Sequence, residues 1–297
     1  IRRMSVNMKE MIEKGDLLTV LRDDETELLV LTFAGNRGIV DKVNVLKLAE
    51  AVEVYSELIR ESPEEGRYYT LRASAWWARQ EEEQALEDYN KAIDLGYDEP
   101  DAYSSRGLFH AALGNYDQAI ADYTAALKQG ADDDAPYVNR AAVYMTQQKF
   151  DEALADYTKA IEVEPNKPST YQQRAIAHKL RGSAEDAIAD FDAALEIDAE
   201  YIPALMGRGF VWFQQEQFDR AIADFARVIE IQPEAVQAYN NRGFNRQQLG
   251  DYENALADYN KAIELAPEFA LAYQNKAWLL ATADVVEFRD GAAAMDA

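Results

Sequence analysis

The sequence repeats itself every 34 residues, over six full periods and without insertion or deletion. One aligned column holds small residues only: Ala73, Gly107, Ala141, Ala175, Gly209, Gly243 and Ala277. Two further columns hold Ala85, Ala119, Ala153, Ala187, Ala221 and Ala255, and the aromatic residues Tyr89, Tyr123, Tyr157, Phe191, Phe225 and Tyr259. A fixed period of this length predicts a solenoid, because each unit buries its apolar face only against its neighbours.

Each unit is predicted to be two antiparallel helices joined by a short turn. We count repeat positions from 1 at Gly66, Pro100, Asp134, Pro168, Ile202, Val236 and Ala270. Position 15 is often glycine, which suits the left-handed cap that ends a first helix. Ser183 or Asp251 is then placed to cap the second helix, and a proline such as Pro233 follows its end. Small residues at positions 8 and 20 allow the two helices to approach closely, and the aromatic residue at position 24 fills the gap beside them.

A ladder of opposite charges accompanies the apolar columns. Position 7 carries Arg72, Arg106, Arg140, Arg174, Arg208, Arg242 and Lys276, and position 23 carries Asp88, Asp122, Asp156, Asp190, Asp224 and Asp258. An arginine at position 7 can lay its stem on apolar surface and reach a carboxylate, and guanidinium–carboxylate pairs form strong double hydrogen bonds. We interpret the ladder as structural. The sequence leaves open whether each aspartate pairs within its own unit or with the next one.

The columns resemble the tetratricopeptide repeat. The residues that carry the resemblance in one row are Tyr239, Gly243, Ala255, Tyr259, Ala262 and Pro267. The resemblance implies a mainly α fold, a right-handed superhelical solenoid of antiparallel helix pairs over residues 49–297. Its predicted parts are a half repeat (49–65), six full repeats (66–99, 100–133, 134–167, 168–201, 202–235 and 236–269) and an incomplete repeat (270–297).

Residues 1–48 fall outside the repeat. They contain short runs rich in valine and leucine at 15–22, 27–35 and 36–48, which predict the strands of a small β-barrel. The order of these runs resembles a bacterial Src-homology-3-like domain, with Gly38-Ile39-Val40 at the place of a frequent glycine–tryptophan–valine triplet. The resemblance implies peptide or cell-wall binding. The alternative is that the barrel only caps the apolar end of the solenoid.

The composition and the scarcity of reactive residues argue against catalysis. The chain has no cysteine, and its formal net charge of −24 disfavours binding to nucleic acid or anionic lipid. No apolar run is long enough to span a bilayer. His110 and His178 share position 11 with large aromatic residues, so we interpret them as packing residues. The run Asp132–Asp134 lacks the spacing of a calcium loop and is interpreted as a solvated turn. We therefore expect no catalytic residue, metal site or cofactor, and a protein that is not an enzyme.

The first helices of such a solenoid line its concave side, which these proteins use for binding. Positions 2, 5, 6, 9, 12 and 13 form the helix face opposite the packing stripe. Among them only Arg67, Asp101 and Lys179 are charged, although charged residues make up 28% of the chain. Exposed rings beside side-chain amides suit an extended peptide, because amides can bond any ligand backbone and rings supply apolar anchors. The predicted groove residues are Asn139, Gln173, Met206, Phe210, Phe213, Asn240, Asn241, Phe244 and Asn275.

Three of these residues, Asn139, Asn241 and Asn275, share position 6 and are similar to the asparagine ladder with which other family members hold a peptide backbone. The leading hypothesis is a protein-interaction adaptor that binds an extended protein segment. Alternatives are a structural protein that self-assembles into homo-oligomers, and a module that contacts the cell wall through residues 1–48. The barrel resemblance favours a bacterial origin. The same resemblance and the lack of cysteine favour an exported or cell-envelope location over a cytoplasmic one.

Overall fold

The computed structural model describes residues 18–23, 27–32, 37–41, 48–97 and 100–282. The chain forms two compact units, residues 1–131 and residues 132–297. Each unit consists mainly of helices that follow one another through short turns.

The first unit begins with three short antiparallel strands, β1 (Leu18–Asp23), β2 (Glu27–Thr32) and β3 (Arg37–Asp41). They pair in the order β1-β2-β3, with a shift of register between Val20 and Arg22. The sequence places strands in these runs correctly. In the described ranges, however, the strands form a single three-stranded sheet, and the closed β-barrel is not supported. The division of the chain at residue 48 stays a prediction.

The described ranges contain fourteen helices. In the first unit these are α1 (Leu48–Glu61), α2 (Gly66–Ala78), α3 (Glu82–Asp94), α4 (Pro100–Ala112) and α5 (Tyr116–Lys128). In the second unit they are α6 (Ala135–Thr146), α7 (Phe150–Val163), α8 (Pro168–Arg181), α9 (Ala184–Ile197), α10 (Ile202–Gln214), α11 (Phe218–Ile231), α12 (Val236–Gln248), α13 (Tyr252–Leu265) and α14 (Ala270–Thr282). First helices start at repeat position 1 or 2, and the predicted alternation of first and second helices is confirmed.

The small-residue columns lie where the two helices of a pair touch. Every alanine at position 20 is fully buried, and the ring at position 24 is buried beside it. A Cβ atom added to Gly107 would lie 2.8 Å from the ring of Tyr123, and one added to Gly243 would lie 3.0 Å from the ring of Tyr259. The aromatic column therefore fills the space that the small residues leave open, as the sequence predicts.

The turns between helices differ from the prediction at the second-helix caps. Ser183 and Asp251 occupy the N-cap position, but neither side chain accepts a hydrogen bond from the helix backbone. The Asp251 carboxylate instead accepts the side-chain amide of Asn254, at 2.9 and 3.0 Å.

Position 15 adopts the left-handed conformation in every complete row that the structure describes. Three rows supply glycine there, with φ of 76° at Gly114, 91° at Gly182 and 76° at Gly250. The other rows place Gln80, Gln148 and Glu216 at φ of 64°, 59° and 59°. A residue with a Cβ is strained in this region, since its Cβ crowds the following carbonyl oxygen.

Replacement of Gln148 by glycine should therefore stabilise the protein by about 1 kcal/mol, because it relieves this strain. Urea unfolding followed by circular dichroism measures the effect. Gln147→Gly is the control, because Gln147 has a φ of −82° and gains nothing from glycine. Equal changes in the two variants would contradict the argument.

The charge ladder joins the two helices of each unit. Each arginine at position 7 donates Nε and Nη2 to both carboxylate oxygens of the aspartate sixteen residues later, at 2.6–3.0 Å. These aspartate side chains are 4–8% exposed. The structure thus settles the pairing that the sequence leaves open: the aspartate belongs to the arginine's own unit.

The third guanidinium nitrogen links neighbouring repeats. Nη1 of Arg72 donates to Ser56 at 3.0 Å, that of Arg106 to Asn90 at 2.7 Å, and that of Arg174 to Thr158 at 3.1 Å. These partners share position 25 of the preceding second helix. One arginine therefore connects three helices, and a lysine, which lacks the fork of donors, could not replace it.

Arg174→Leu should lower the free energy of unfolding by about 3 kcal/mol, because Asp190 would stay buried without its partner. Arg227→Leu is the comparison, since among the described residues Arg227 pairs with the exposed carboxylates of Glu200 and Glu230 alone. That change should cost much less, because solvent screens exposed ion pairs. Urea unfolding of both variants tests the difference. Similar losses would show that the ladder contributes no more than surface ion pairs.

Candidate functional site

A pocket of about 180 Å³ opens in the second unit beside the first helices α10, α12 and α14. Its lining residues are Phe210, Phe213, Phe225, Asn240, Asn241, Phe244, Asn245, Leu271 and Asn275. The pocket thus combines phenyl rings and a leucine with four side-chain amides. None of its lining residues carries a charge.

The aromatic wall is held together by ring contacts. The Phe213 ring meets that of Phe244 edge-on at 5.4 Å between centroids, and it lies 6.2 Å from the ring of Phe210. Phe210 is 42% exposed, and Nζ of Lys179 stands 5.0 Å from its ring centroid. Phe225 forms a fully buried part of the wall. Phe225 therefore forms the buried part of the aromatic wall, and Phe210 forms its solvent-exposed part.

The amides form a chain across the pocket. Asn275 donates its Nδ2 to Oδ1 of Asn240 at 2.9 Å, and Asn240 donates its own Nδ2 to Oδ1 of Asn241 at 3.4 Å. Asn240 is almost fully buried, whereas its two partners are partly exposed. Asn240 is thus the internal link of the chain. Within the described residues, Oδ1 of Asn275 and Nδ2 of Asn241 keep hydrogen-bonding capacity for a ligand.

The pocket occupies one of the two rows, those of Phe191 and Phe225, in which the tyrosine hydroxyl is missing. In the next row, Tyr259 donates its hydroxyl to Oε1 of Gln247, at position 12, at 2.8 Å. In the first full row, the hydroxyl of Tyr89 bonds Ser74, at position 9, at 3.1 Å. Phe225 has no hydroxyl, and positions 12 and 9 of its row are phenylalanines. The hydroxyl and its polar partners are replaced together, which creates the apolar wall.

The structure brings six of the nine predicted groove residues into this pocket: Phe210, Phe213, Asn240, Asn241, Phe244 and Asn275. Met206 packs instead against the buried cluster around Leu205 and Val228. Asn139 and Gln173 are half-buried on α6 and α8, outside the lining.

The lining also includes Phe225, Asn245 and Leu271, which are not among the predicted groove residues. Asn245 could have been recognised from the sequence, because it lies at position 10, where every other row has an apolar residue. Leu271 lies at position 2 of the predicted binding face. Phe225 could not have been recognised from the sequence, because it belongs to the aromatic column at position 24, whose residues are predicted to pack between helices.

A larger cleft of about 580 Å³ lies between α2 and α3 in the first unit. Its lining includes Arg72 and Asp88, which are already paired with each other in the ladder. The remaining charged lining residues, Glu87, Lys91 and Asp94, are of both signs and exposed. The cleft therefore offers no concentrated ligand chemistry, and the smaller pocket is the better candidate.

The two histidines lie against the ladder. Nε2 of His110 is 4.0 Å from Asp122, and Nε2 of His178 is 3.8 Å from Asp190. Burial lowers the pKa of His110, although Asp122 partly opposes this shift. At the same repeat position, Arg246 donates Nη1 to Asp258 at 2.7 Å. In these three rows, the residue at position 11 is thus a second neighbour of the buried aspartate.

The aspartate run 132–134 is not uniformly solvated, contrary to the sequence interpretation. Asp134 is buried, and Nζ of Lys167 donates to both of its carboxylate oxygens at 2.8 and 2.9 Å. The lysine of the following turn neutralises this carboxylate. Among the described residues, no cluster of three or more histidine, cysteine or acidic side chains forms a potential metal site. None of the described helices has the length and hydropathy needed to cross a membrane.

Tetratricopeptide-repeat family models match residues 41–96, 83–136, 135–167 and 209–280, which together make up about two thirds of the chain. This chain is a tetratricopeptide repeat protein. The tetratricopeptide resemblance found in the sequence is thereby confirmed, and the helix pairs described above are its repeats. A comparison with curated proteins gave no match.

Several solved structures share the fold at low identity. The C-terminal part of a repeat-containing protein from Cytophaga hutchinsonii aligns with a TM-score of 0.65 and 17% identity, covering 77% of this chain and 94% of that one. YrrB aligns with a TM-score of 0.52 and 22% identity, covering 62% and 95%. MamA aligns with a TM-score of 0.53 and 22% identity, covering 58% and 93%. At these identities the likeness concerns the fold alone.

The buried tyrosines of the repeats predict a loss of stability in alkali. Burial raises the pKa of Tyr89 and of Tyr157 to about 12, from an ordinary value of 10.0. It also raises the pKa of Tyr123 and Tyr259. The unfolded chain loses these protons first, so the tyrosines stabilise the fold fully below pH 10.0 and progressively less as the pH approaches about 12.

Urea unfolding at increasing pH, with tyrosinate absorbance as a second signal, measures this loss. Tyr157→Phe is the control, because phenylalanine already occupies this position in two rows. The variant should lose less stability between pH 10.0 and about 12. Identical pH profiles for the variant and the parent would refute the assignment.

Proposed function

We propose that this protein is a non-enzymatic scaffold that binds an extended segment of a partner protein along the first helices of its second unit, in the groove that a repeat superhelix would form. The observation that carries the proposal is the pocket itself. It combines open phenyl rings with amides that keep free hydrogen-bonding atoms, on a helix face almost without charge. Such a face matches the uncharged backbone of a peptide rather than a nucleic acid or an anionic surface.

Exposed apolar side chains extend this surface beyond the pocket. Leu271 is 46% exposed, and Trp278, which follows Phe210 and Phe244 in the column at position 9, is 65% exposed. Large side chains exposed side by side mark interaction surfaces more often than they mark ordinary solvent-facing surface. Aromatic residues are also enriched among the residues that contribute most to binding.

The two kinds of lining residue have different tasks in the proposed complex. The Nδ2 of Asn241 and the Oδ1 of Asn275 pair with a backbone carbonyl and a backbone N–H of the ligand, which gives affinity without dependence on its sequence. The phenyl rings receive one of its side chains. YrrB, which shares the fold, is a tetratricopeptide repeat protein with an unusual peptide-binding site, so this use of the fold has a parallel.

Leu271→Asp combined with Phe210→Asp should abolish the binding of peptides selected from a random display library. Both side chains are exposed, so the double variant should fold normally, whereas Phe244 supports the ring of Phe213 and is less suitable. Leu249→Asp is the matched control, because Leu249 is 49% exposed but does not line the pocket. Affinities of the selected peptides are measured by fluorescence anisotropy. Equal binding by both variants would place the peptide site elsewhere.

The same variants separate this proposal from the two alternatives. If the protein self-assembles through this face, light scattering should show oligomers that Leu271→Asp dissociates in the absence of peptide. If envelope binding through residues 1–48 is the function, deletion of these residues should abolish sedimentation with cell-wall material and leave peptide binding intact. If self-assembly or cell-wall binding is observed and no peptide can be selected, the proposed function is wrong.

A further inference from the structure

Two departures from the repeat pattern meet at the pocket. Position 10 is buried and apolar in the other rows, where it holds Ala75, Phe109, Val143, Ala177, Val211 and Leu279. In the row of α12 it is Asn245, which is 2% exposed. The second departure is the loss of the tyrosine hydroxyl at Phe225. The buried amide of Asn245 and the missing hydroxyl at Phe225 thus both lie in the lining of one pocket.

The orientation of the Asn245 side chain follows from its neighbours. Its Nδ2 donates to the backbone oxygen of Asn241 at 2.8 Å. Because that carbonyl can only accept, the amide nitrogen must face it, and the amide oxygen is directed away. In the described structure, Oδ1 of Asn245 is closed to solvent and accepts no hydrogen bond, so a ligand reaches it only when a lining side chain moves aside. An unsatisfied buried acceptor destabilises a fold, and valine or leucine at this position would avoid the problem.

The size of the pocket limits what it can receive. At about 180 Å³ it is smaller than the sites of roughly 300–1,000 Å³ that hold small-molecule ligands. It is suited to a single side chain. Charged donors such as lysine and arginine are disfavoured, because the lining holds no carboxylate to offset their desolvation. Serine and threonine would leave most of the ring-lined space empty, and leucine and phenylalanine bring no donor.

We propose that the pocket receives a tyrosine or tryptophan side chain of the bound segment, whose O–H or N–H donates a hydrogen bond to Oδ1 of Asn245. This inference rests on the proposed function and names the anchor residue of the ligand. The rings of Phe213 and Phe244 offer the edge-on contacts that aromatic pairs prefer. The incoming donor supplies the hydroxyl that the row of Phe225 lacks.

The test is a cycle of paired changes in ligand and protein. Peptides selected from a random display library with the full chain should share a tyrosine or tryptophan. For one peptide of each kind, replacement of that residue by phenylalanine should weaken binding about tenfold, which is the effect of a lost hydrogen bond to a buried partner. With Asn245→Val, this penalty should vanish for the tyrosine peptide, whose hydroxyl then lacks a partner, and should shrink for the tryptophan peptide, whose indole still buries more area than a phenyl ring. The tyrosine and tryptophan peptides, measured separately, show which donor fits better.

Two further measurements keep the outcome clear. Asn245→Val should raise the midpoint of urea unfolding, since it removes the unsatisfied acceptor and restores the pattern of the other rows. Phe225→Tyr should weaken peptide binding, because its hydroxyl would occupy part of the ring-lined space that receives the ligand's side chain, and four other rows show that tyrosine is tolerated there.

The proposal is overturned if the selected peptides share leucine, isoleucine or phenylalanine instead. It is also overturned if the tenfold preference for the donor persists in Asn245→Val. If no peptide binds more tightly to the parent than to the Phe210→Asp/Leu271→Asp variant, the proposed function itself fails. By contrast, a peptide that binds in this pocket without a donor side chain would contradict only the proposal about Asn245.

Discussion

The buried arginine–aspartate pair is the interaction on which the rest of the array depends. One guanidinium holds the aspartate of its own second helix through two nitrogens and, in most rows, a polar side chain of the preceding second helix through the third. Three helices are thereby fixed by a single side chain. The alanine and glycine columns can then bring the helices into close contact, and the aromatic column closes the space between them.

The row that forms the pocket departs from this arrangement. Ala226 occupies position 25 before α12, so it offers Arg242 no side-chain acceptor. Asp258 is held by Arg242 and by Arg246 instead. In the same region the tyrosine hydroxyl disappears and a buried asparagine replaces an apolar residue. Positions that all rows share build the scaffold, whereas the local exceptions lie where the proposed ligand binds.

These exceptions are expected to destabilise the folded protein, and this cost suggests that they serve a function. A buried acceptor without a donor and phenyl rings open to solvent are both unfavourable in an isolated chain. Natural proteins tolerate such conflicts mainly at functional sites, where a ligand resolves them. The pocket carries both kinds of conflict within a few residues of each other, and this coincidence separates it from the larger, internally neutralised cleft between α2 and α3.

The sequence by itself determined the repeat, the helix pairs, the buried columns and the helix face that carries Phe210, Phe244 and Asn275. A constant period imposes one local geometry on every row, so a column can be assigned without coordinates. Tertiary structure alone decided the partner of each ladder aspartate, the internal role of Asn240, and the packing of Met206 against the core. It also decided that Phe225 and Asn245 share one pocket. Periodicity predicts what the rows have in common, but distances between side chains of different helices depend on how those helices pack.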